Sequence, residues 1–147
     1  MKGIKIQDMC KEKQKWMRIF TEQGDLLFEG MTFNDKPCGA GVVYFSNGSI
    51  YQEGIFGIKG LTVGREYYPN GKLRFEGIYT VNHGYGPNYP ENGRFFDEEG
   101  QCLANGKITY KISGLGYPLE AIGSQMGKVV QENHPKISWL MWEDLNR

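Results

Sequence analysis

The chain has few of the residues on which catalytic and metal sites are usually built. It contains two histidines, His83 and His134, and three cysteines without a CxxC pair. Neither a zinc site nor a disulfide framework is indicated, and we expect reduced thiols. The histidines lack a ligand or base at a recognisable spacing, and no nucleophile elbow or phosphate-binding loop occurs. The sequence therefore predicts no catalytic residue, no metal and no cofactor.

Long apolar runs and an excess of charge of one sign are also missing. No stretch reaches the roughly 18 apolar residues of a membrane span, and the first residues do not resemble an export signal. The formal charge is zero, but residues 19–100 hold six basic residues against eleven acidic ones, which leaves minus five. Nucleic acid or anionic lipid would need cations on that body. We expect a cytoplasmic protein that binds neither nucleic acid nor membrane.

Glycine, by contrast, is abundant and periodic, with 21 residues in the chain. Four segments align, each with two glycines six residues apart and an aromatic residue four positions before the first glycine. The first glycines follow one another at intervals of 24, 23 and 29 residues. This regularity indicates four structural repeats. Their paired glycines are Gly24 and Gly30, Gly48 and Gly54, Gly71 and Gly77, and Gly100 and Gly106.

Each repeat is predicted to form a β-hairpin. The Asn-Gly dipeptides that end at Gly48 and Gly71 favour a tight turn with positive φ, so the first glycine marks the turn. The following residues alternate like a half-buried strand, with Phe28 on the apolar face and Leu27 and Arg74 on the polar face of their repeats. The second glycine falls on the apolar face. We expect the aromatic residue before the turn to cover it.

The third repeat carries a family resemblance. Residues 66–79, EYYPNGKLRFEGIY, resemble the variant MORN repeat of bacterial YwqK-like antitoxin proteins, in which a YYxNGKLxxEG core recurs. Residues 33–41, FNDKPCGAG, resemble the segment that links MORN units, whereas the first and fourth repeats depart from the core pattern. The resemblance implies an elongated antiparallel sheet of consecutive MORN-type hairpins that serves as a binding or scaffolding surface.

We predict a mainly β protein in three parts. Residues 1–18 form a basic N-terminal strand or hairpin, in which residues 5–9 pair with 15–20, and residues 19–112 form four MORN-like repeats. Residues 113–147 form a C-terminal helical cap over the open end of the sheet. The helix is indicated by apolar residues at helical spacing, and residues 137–145 fit either a helix or a strand. The helically spaced residues are Leu119, Ile122, Met126, Val129 and Val130.

The predicted function is protein binding by a non-catalytic repeat module. Its narrower form, implied by the resemblance, is a bacterial antitoxin or immunity protein that neutralises a toxin, and an acidic body suits a basic partner. Two alternatives stay open: a membrane- or lipid-associated MORN scaffold, and a hydrolase with an unrecognised site. Glu29, Glu53 and Glu76 share a repeat position, roughly 10 Å apart, which is too wide for most carboxylate pairs of glycoside hydrolases. We interpret them as a solvated polar face.

The insertion before the fourth repeat is the predicted partner site. It falls within residues 81–93, which hold two prolines and three glycines. Insertions in a repeat array form loops on one side and often carry recognition. In the alternative interpretation, its tyrosines fold back on the last hairpin. The predicted contact residues are His83, Tyr85, Asn88, Tyr89 and Glu91.

Overall fold

A computed structural model describes residues 14–80, 88–112 and 118–121. Eight strands form one antiparallel sheet in chain order, and the last two strands pair in a separate sheet. These stretches contain no helix, and hence none long and apolar enough to cross a membrane. The prediction of a mainly β antiparallel sheet of consecutive hairpins is confirmed. The strands are β1 Lys15–Phe20, β2 Leu26–Phe33, β3 Lys36–Tyr44, β4 Ile50–Gly57, β5 Gly60–Tyr67, β6 Leu73–Thr80, β7 Tyr89–Phe96, β8 Cys102–Lys107, β9 Tyr110–Ile112 and β10 Pro118–Ala121.

The four predicted turns lie at Gly24, Gly48, Gly71 and Gly100, which have φ values of 90°, 88°, 87° and 94°. All four turns use the same hydrogen bonds. In the third, the Gly71 amide donates to the Tyr68 carbonyl and the Tyr68 amide donates to the Lys72 carbonyl, both at 2.9 Å. The repeated glycine therefore sets one turn geometry for the hairpins β1–β2, β3–β4, β5–β6 and β7–β8.

A continuous row of glycines crosses the sheet from β2 to β8. It consists of Gly30, Gly41, Gly54, Gly64, Gly77, Gly93 and Gly106, each in register with the next. Except at Gly106, at the end of the row, there is no space for a side chain. A Cβ atom on Gly54 would lie 2.2 Å from the carbonyl oxygen of Val63, and one on Gly93 would lie 2.0 Å from that of Glu76. We call these seven residues the glycine row.

The sheet folds along the glycine row, so that side chains on both sides of the row meet in one core. Phe28 precedes the row by two residues and Phe56 follows it by two, on strands that are not neighbours, yet their ring centroids are 5.5 Å apart. In a flat sheet their Cα atoms would be separated by roughly 16 Å. The core consists mainly of Ile19, Leu27, Phe28, Val43, Phe45, Tyr51, Phe56, Leu61, Phe75, Tyr79, Phe95 and Ile108.

Where the glycine row crosses β2 and β3, the ring that covers it is that of Phe28. The edge of this ring lies 2.5 Å from the position that a Cβ atom would take on Gly41. Phe28 follows the turn, so the prediction that the aromatic residue before the turn covers the glycine is wrong. Two of those residues, Tyr44 and Tyr67, instead donate hydroxyl hydrogen bonds to glutamates of the preceding repeats. The prediction fails because the sheet folds along the glycine row, and this places the side chains nearest the row over its glycines.

Each hairpin contains a β-bulge shortly after its turn. The register shifts by one residue, which leaves Leu27, Tyr51, Arg74 and Leu103 without a directly opposed residue. A bulge turns two consecutive side chains toward the same face. Leu27 and Arg74 are therefore buried. The prediction that they lie on the polar face is wrong, because strict alternation of side chains assumes strand pairing without a bulge.

The core holds one buried ion pair, between Arg74 and Glu66. Glu66 also accepts hydrogen bonds from the Gln52 amide at 2.7 Å and the Tyr79 hydroxyl at 3.2 Å. The guanidinium lies over the ring of Phe95, 5.1 Å from its centroid. A buried charge without partners would be costly, but these contacts compensate for its desolvation. The cluster joins β4, β5, β6 and β7 by side chains as well as by backbone.

The predicted ends are described only in part. Residues 15–20 form β1, as predicted, whereas residues 5–9 lie outside the described chain. Leu119 lies in β10, since Pro118–Ala121 pairs with Tyr110–Ile112, so the helix prediction is wrong at its first residue. Residues 122–147, with the rest of the predicted helix and the 137–145 stretch, lie outside the described residues.

Gly93→Ala should lower the free energy of unfolding by about 3 kcal/mol or more, because the new Cβ atom would force β6 and β7 apart. Gly106→Ala is the matched control in the same row. A Cβ atom at Gly106 would meet nothing within 4 Å, and only the positive φ of 120° disfavours alanine there. We expect this strain to lower the free energy of unfolding by about 1 to 2 kcal/mol. Urea unfolding followed by circular dichroism measures both variants. Equal losses would contradict a steric role for the row.

Candidate functional site

The candidate site is the sheet face opposite the core, which we call the open face. Two rows of side chains flank the glycine row on it, because side chains alternate between faces along every strand. One row, the charge ladder, consists of Arg18, Glu29, Val42, Glu53, Arg65, Glu76, Arg94 and Asn105. The other, the apolar stripe, consists of Trp16, Met31, Ala40, Ile55, Val63 and Ile78 on β1 to β6.

The charge ladder alternates in sign along much of its length. Arg18 Nε lies 3.3 Å from Glu29 Oε2, and Glu76 binds both Arg65 and Arg94. The arginines are more than half exposed, so each pair contributes about 1 kcal/mol or less to stability. The ladder holds three arginines and three glutamates, and its formal charge is zero. Without Arg18, which precedes residue 19, the ladder carries minus one, so most of the acidic excess of residues 19–100 lies elsewhere.

Two tyrosines complete the ladder. The Tyr44 hydroxyl donates to Glu29 at 2.5 Å, and the Tyr67 hydroxyl donates to Glu53 at 2.6 Å. The hydrogen bond from Tyr44, followed by that from Arg18, lowers the pKa of Glu29. The hydrogen bond to Glu29, followed by burial, raises the pKa of Tyr44 to about 12. A general acid would need a raised carboxyl pKa, so the direction at Glu29 favours our interpretation of these carboxylates as a polar face.

The apolar stripe exposes large side chains in register across neighbouring strands. Trp16 is 53% exposed, Ile55 47%, Val63 45% and Ile78 53%. Ile55, Val63 and Ile78 are direct cross-strand neighbours on β4, β5 and β6. Single exposed apolar residues are ordinary, but a contiguous patch marks a contact surface. The same row continues on β7 and β8 with the polar residues Asn92 and Lys107, so the stripe ends at β6.

A shallow groove of about 770 Å³ lies between the stripe and the ladder. Its floor is backbone, because the glycine row has no side chains. Trp16, Met31, Ala40 and Ile55 line one side, and Glu29, Val42, Glu53 and Arg65 line the other. A partner segment could therefore contact apolar groups and charges at once. In the described part of the chain, no group of three or more metal-ligating side chains is present.

The residues predicted to bind the partner are only partly described. Asn88 is buried, and its amide donates to the carbonyls of Gly60 and Leu61 at 3.3 and 3.1 Å. Its side chain thus ties the insertion to β5, and its backbone amide donates to the Lys59 carbonyl in the turn before β5 at 2.9 Å. Tyr89 is half-buried against the core, Glu91 is half-buried in β7, and His83 and Tyr85 lie outside the described residues. The partner role of the five stays a prediction.

Sequence reasoning missed the apolar stripe, although a signal for it exists. Met31, Ile55 and Ile78 each follow the second glycine of a repeat by one position. That position belongs to the face that alternation assigns to solvent. A recurrent large apolar residue there indicates an exposed row rather than more core.

The cysteines differ from one another. Cys38 is disulfide-bonded, so the expectation of a reduced thiol is wrong at this residue. Cys102 is free and exposed on β8, as expected. Cys10 lies outside the described residues.

The Tyr44–Glu29 hydrogen bond should be visible in a pH titration. In the wild type, the phenol signal that Tyr44→Phe removes should titrate at about 12. In Glu29→Gln it should titrate closer to the ordinary value of about 10, because the neighbouring negative charge no longer opposes ionisation. Ring-labelled tyrosine followed by NMR measures both midpoints. An unchanged midpoint in Glu29→Gln would contradict the contact.

Comparison with known proteins leaves the family open. No family model matches the chain, and neither the curated proteins nor the solved structures include a match. The resemblance of residues 66–79 and 33–41 to MORN repeats therefore stays a prediction, and the fold rests on the strands described above.

Proposed function

We propose that this protein is a non-catalytic protein-binding repeat module whose interaction surface is the open face. The apolar stripe is the observation that carries the proposal, since Trp16, Ile55, Val63 and Ile78 are each about half exposed to solvent. Removing apolar surface from water contributes roughly 25 cal/mol per Å², and a partner placed over the stripe would gain this energy. The charge ladder beside it would set orientation and selectivity more than affinity.

The groove supports a macromolecular partner rather than a small substrate. Its floor is a straight row of backbone, and its walls repeat from strand to strand. An extended or helical protein segment fits such a shape. The described carboxylates of the ladder are engaged by arginine or tyrosine, which also favours binding over hydrolysis.

The narrower proposal is a bacterial antitoxin or immunity protein, and its support is the resemblance to YwqK-like repeats. The balanced charge ladder implies that contact through the open face does not require a basic toxin. A cytoplasmic location belongs to the same proposal. The bond at Cys38 is a point against it, because disulfides persist mainly in oxidising compartments. A lipid-associated scaffold is less favoured, since the ladder offers no excess of cations.

Ile55→Glu and Ile78→Glu should each weaken partner binding by about 2 kcal/mol or more, because a charge would replace an apolar anchor at the contact. Ile58→Glu is the matched control. Ile58 is 59% exposed in the β4–β5 turn and lies outside the stripe. Each purified variant is used as bait in a lysate of the native host, and the retained proteins are quantified by mass spectrometry.

The expected partner is a protein retained by the wild type and Ile58→Glu but lost with both stripe variants. Calorimetry with the purified partner then gives the affinities, and thermal unfolding confirms that the variants are folded. Folded stripe variants that bind the partner as tightly as the wild type would exclude the open face as its binding site.

A further inference from the structure

We propose that two copies of this chain pair through their β8 strands, so that one sheet continues across a two-fold axis at Gly106. Four features carry the inference: β8 is an edge strand, its outer backbone groups flank Gly106, this glycine lacks the close glycine neighbour that the others have, and the opposite edge of the sheet has no glycine to offer. The pairing does not rest on the proposed function of the open face.

The outer side of β8 presents backbone groups of two residues for pairing. Among the described strands, β8 is hydrogen-bonded only to β7. The Ile108 amide donates to the Glu91 carbonyl at 2.8 Å, which makes these two residues a hydrogen-bonded pair. Such pairs recur at every second residue of an antiparallel ladder, so Gly106 also bonds toward β7. The N–H and C=O groups of Asn105 and Lys107 therefore point away from β7, one residue on either side of Gly106.

The other glycines of the row meet in close couples. A Cβ atom on Gly54 would lie 2.8 Å from the Cα atom of Gly64, and one on Gly64 would lie 2.1 Å from the carbonyl oxygen of Glu53. Both members of a couple must therefore be glycine. Such closeness is typical of antiparallel pairs that share no hydrogen bond, whose Cα atoms are about 4.5 Å apart. The couples are Gly30 with Gly41, Gly54 with Gly64, and Gly77 with Gly93.

Gly106 resembles a coupled glycine but has no couple in the described chain. It is the second glycine of the fourth repeat, and the second glycines of the other three repeats, Gly30, Gly54 and Gly77, each begin a couple. Their φ values are 151°, 146° and 148°, and that of Gly106 is also positive, at 120°. A Cβ atom on Gly106 would nevertheless meet nothing within 4 Å. A strand added beside β8 would complete the couple only if it brought a glycine to this position.

A second copy of β8 meets this requirement, whereas β1 does not. On β1, the other edge of the sheet, Met17 is in register with the glycine row. Two β8 strands can pair antiparallel with Gly106 opposite Gly106 of the second copy, because a two-fold axis brings identical surfaces together. Asn105 of each copy then pairs with Lys107 of the other. These two pairs would exchange about four backbone hydrogen bonds, and no like charges would stand directly opposite each other.

The contact is small, so the dimer should be weak. β8 contributes six residues, whereas stable interfaces use about 20 to 30 residues from each partner. We therefore expect a dissociation constant between about 10 µM and 1 mM. The axis is perpendicular to the sheet, so the open faces of both copies lie on the same side and their grooves join end to end.

Sedimentation equilibrium of the purified full chain over this concentration range tests the pairing. The average mass of the wild type should rise from that of one chain, 16.8 kDa, toward twice that value. Gly106→Ala should stay monomeric, because its Cβ atom would collide with the second copy. Asn105→Pro should also stay monomeric, because proline removes an outward N–H group, and edge strands tolerate this change. Asn105→Ala is the matched control, which loses the same side chain but keeps the donor, and it should dimerise like the wild type.

Cysteine cross-linking tests the register. Asn105→Cys and Lys107→Cys are each made in a Cys102→Ser background, which removes an exposed free thiol. Directly opposed Cα atoms lie about 5.5 Å apart, which suits a disulfide, whereas the same residue of two copies would lie diagonally, about 7 to 8 Å apart. Mild oxidation of a mixture should therefore join one chain of each variant, as identified by mass spectrometry, and leave each variant alone uncross-linked.

Three results would overturn the inference. A wild type that remains monomeric up to the highest concentration would show that β8 does not pair with a second copy. A dimer that persists in folded Gly106→Ala and Asn105→Pro, with circular dichroism as the check of folding, would place the contact on another surface. Equal cross-linking of a single variant and of the mixture would exclude the register centred on Gly106.

Discussion

The close approach of glycine backbones across the sheet is the constraint on which the rest of the structure depends. With no side chains on the row, the sheet can fold along it and bring the two halves of each strand together over one core. Phe28 and Phe56 meet only because of this fold. An ordinary eight-stranded sheet would need a second layer to bury its apolar face. Here the bent sheet provides much of its own cover.

The same constraint organises the open face. The residues beside each glycine must point away from the core, and they form the charge ladder on one side and the apolar stripe on the other. The fold therefore leaves a backbone-floored groove between them. Its walls come from several repeats rather than from one loop. Binding specificity would then depend on a sequence of side chains across strands, as it does in other repeat proteins.

The sequence was sufficient to predict the local structure. Each first glycine needed a positive φ at a turn, and the dipeptides before two of them identified the hairpins. The partner glycines Gly41, Gly64 and Gly93 were not predicted, because their spacing from the repeat glycines varies with the length of each connection. Leu27 and Arg74 were misassigned because a bulge shifts the polarity pattern. The apolar stripe was missed because the alternation of side chains along a strand indicates which positions face solvent but does not indicate that apolar residues occupy them.

Gly106 ends the glycine row on β8, and a side chain there would meet no neighbour within 4 Å. In the part of the chain that the structure describes, the row ends at the edge strand β8, and another hairpin added there would continue it with the same geometry. Each added repeat would lengthen the groove by about 9.6 Å and leave its width unchanged. Duplication or loss of a repeat would then change the length of partner that can be held, in fixed steps, while the cross-section of the groove is inherited intact.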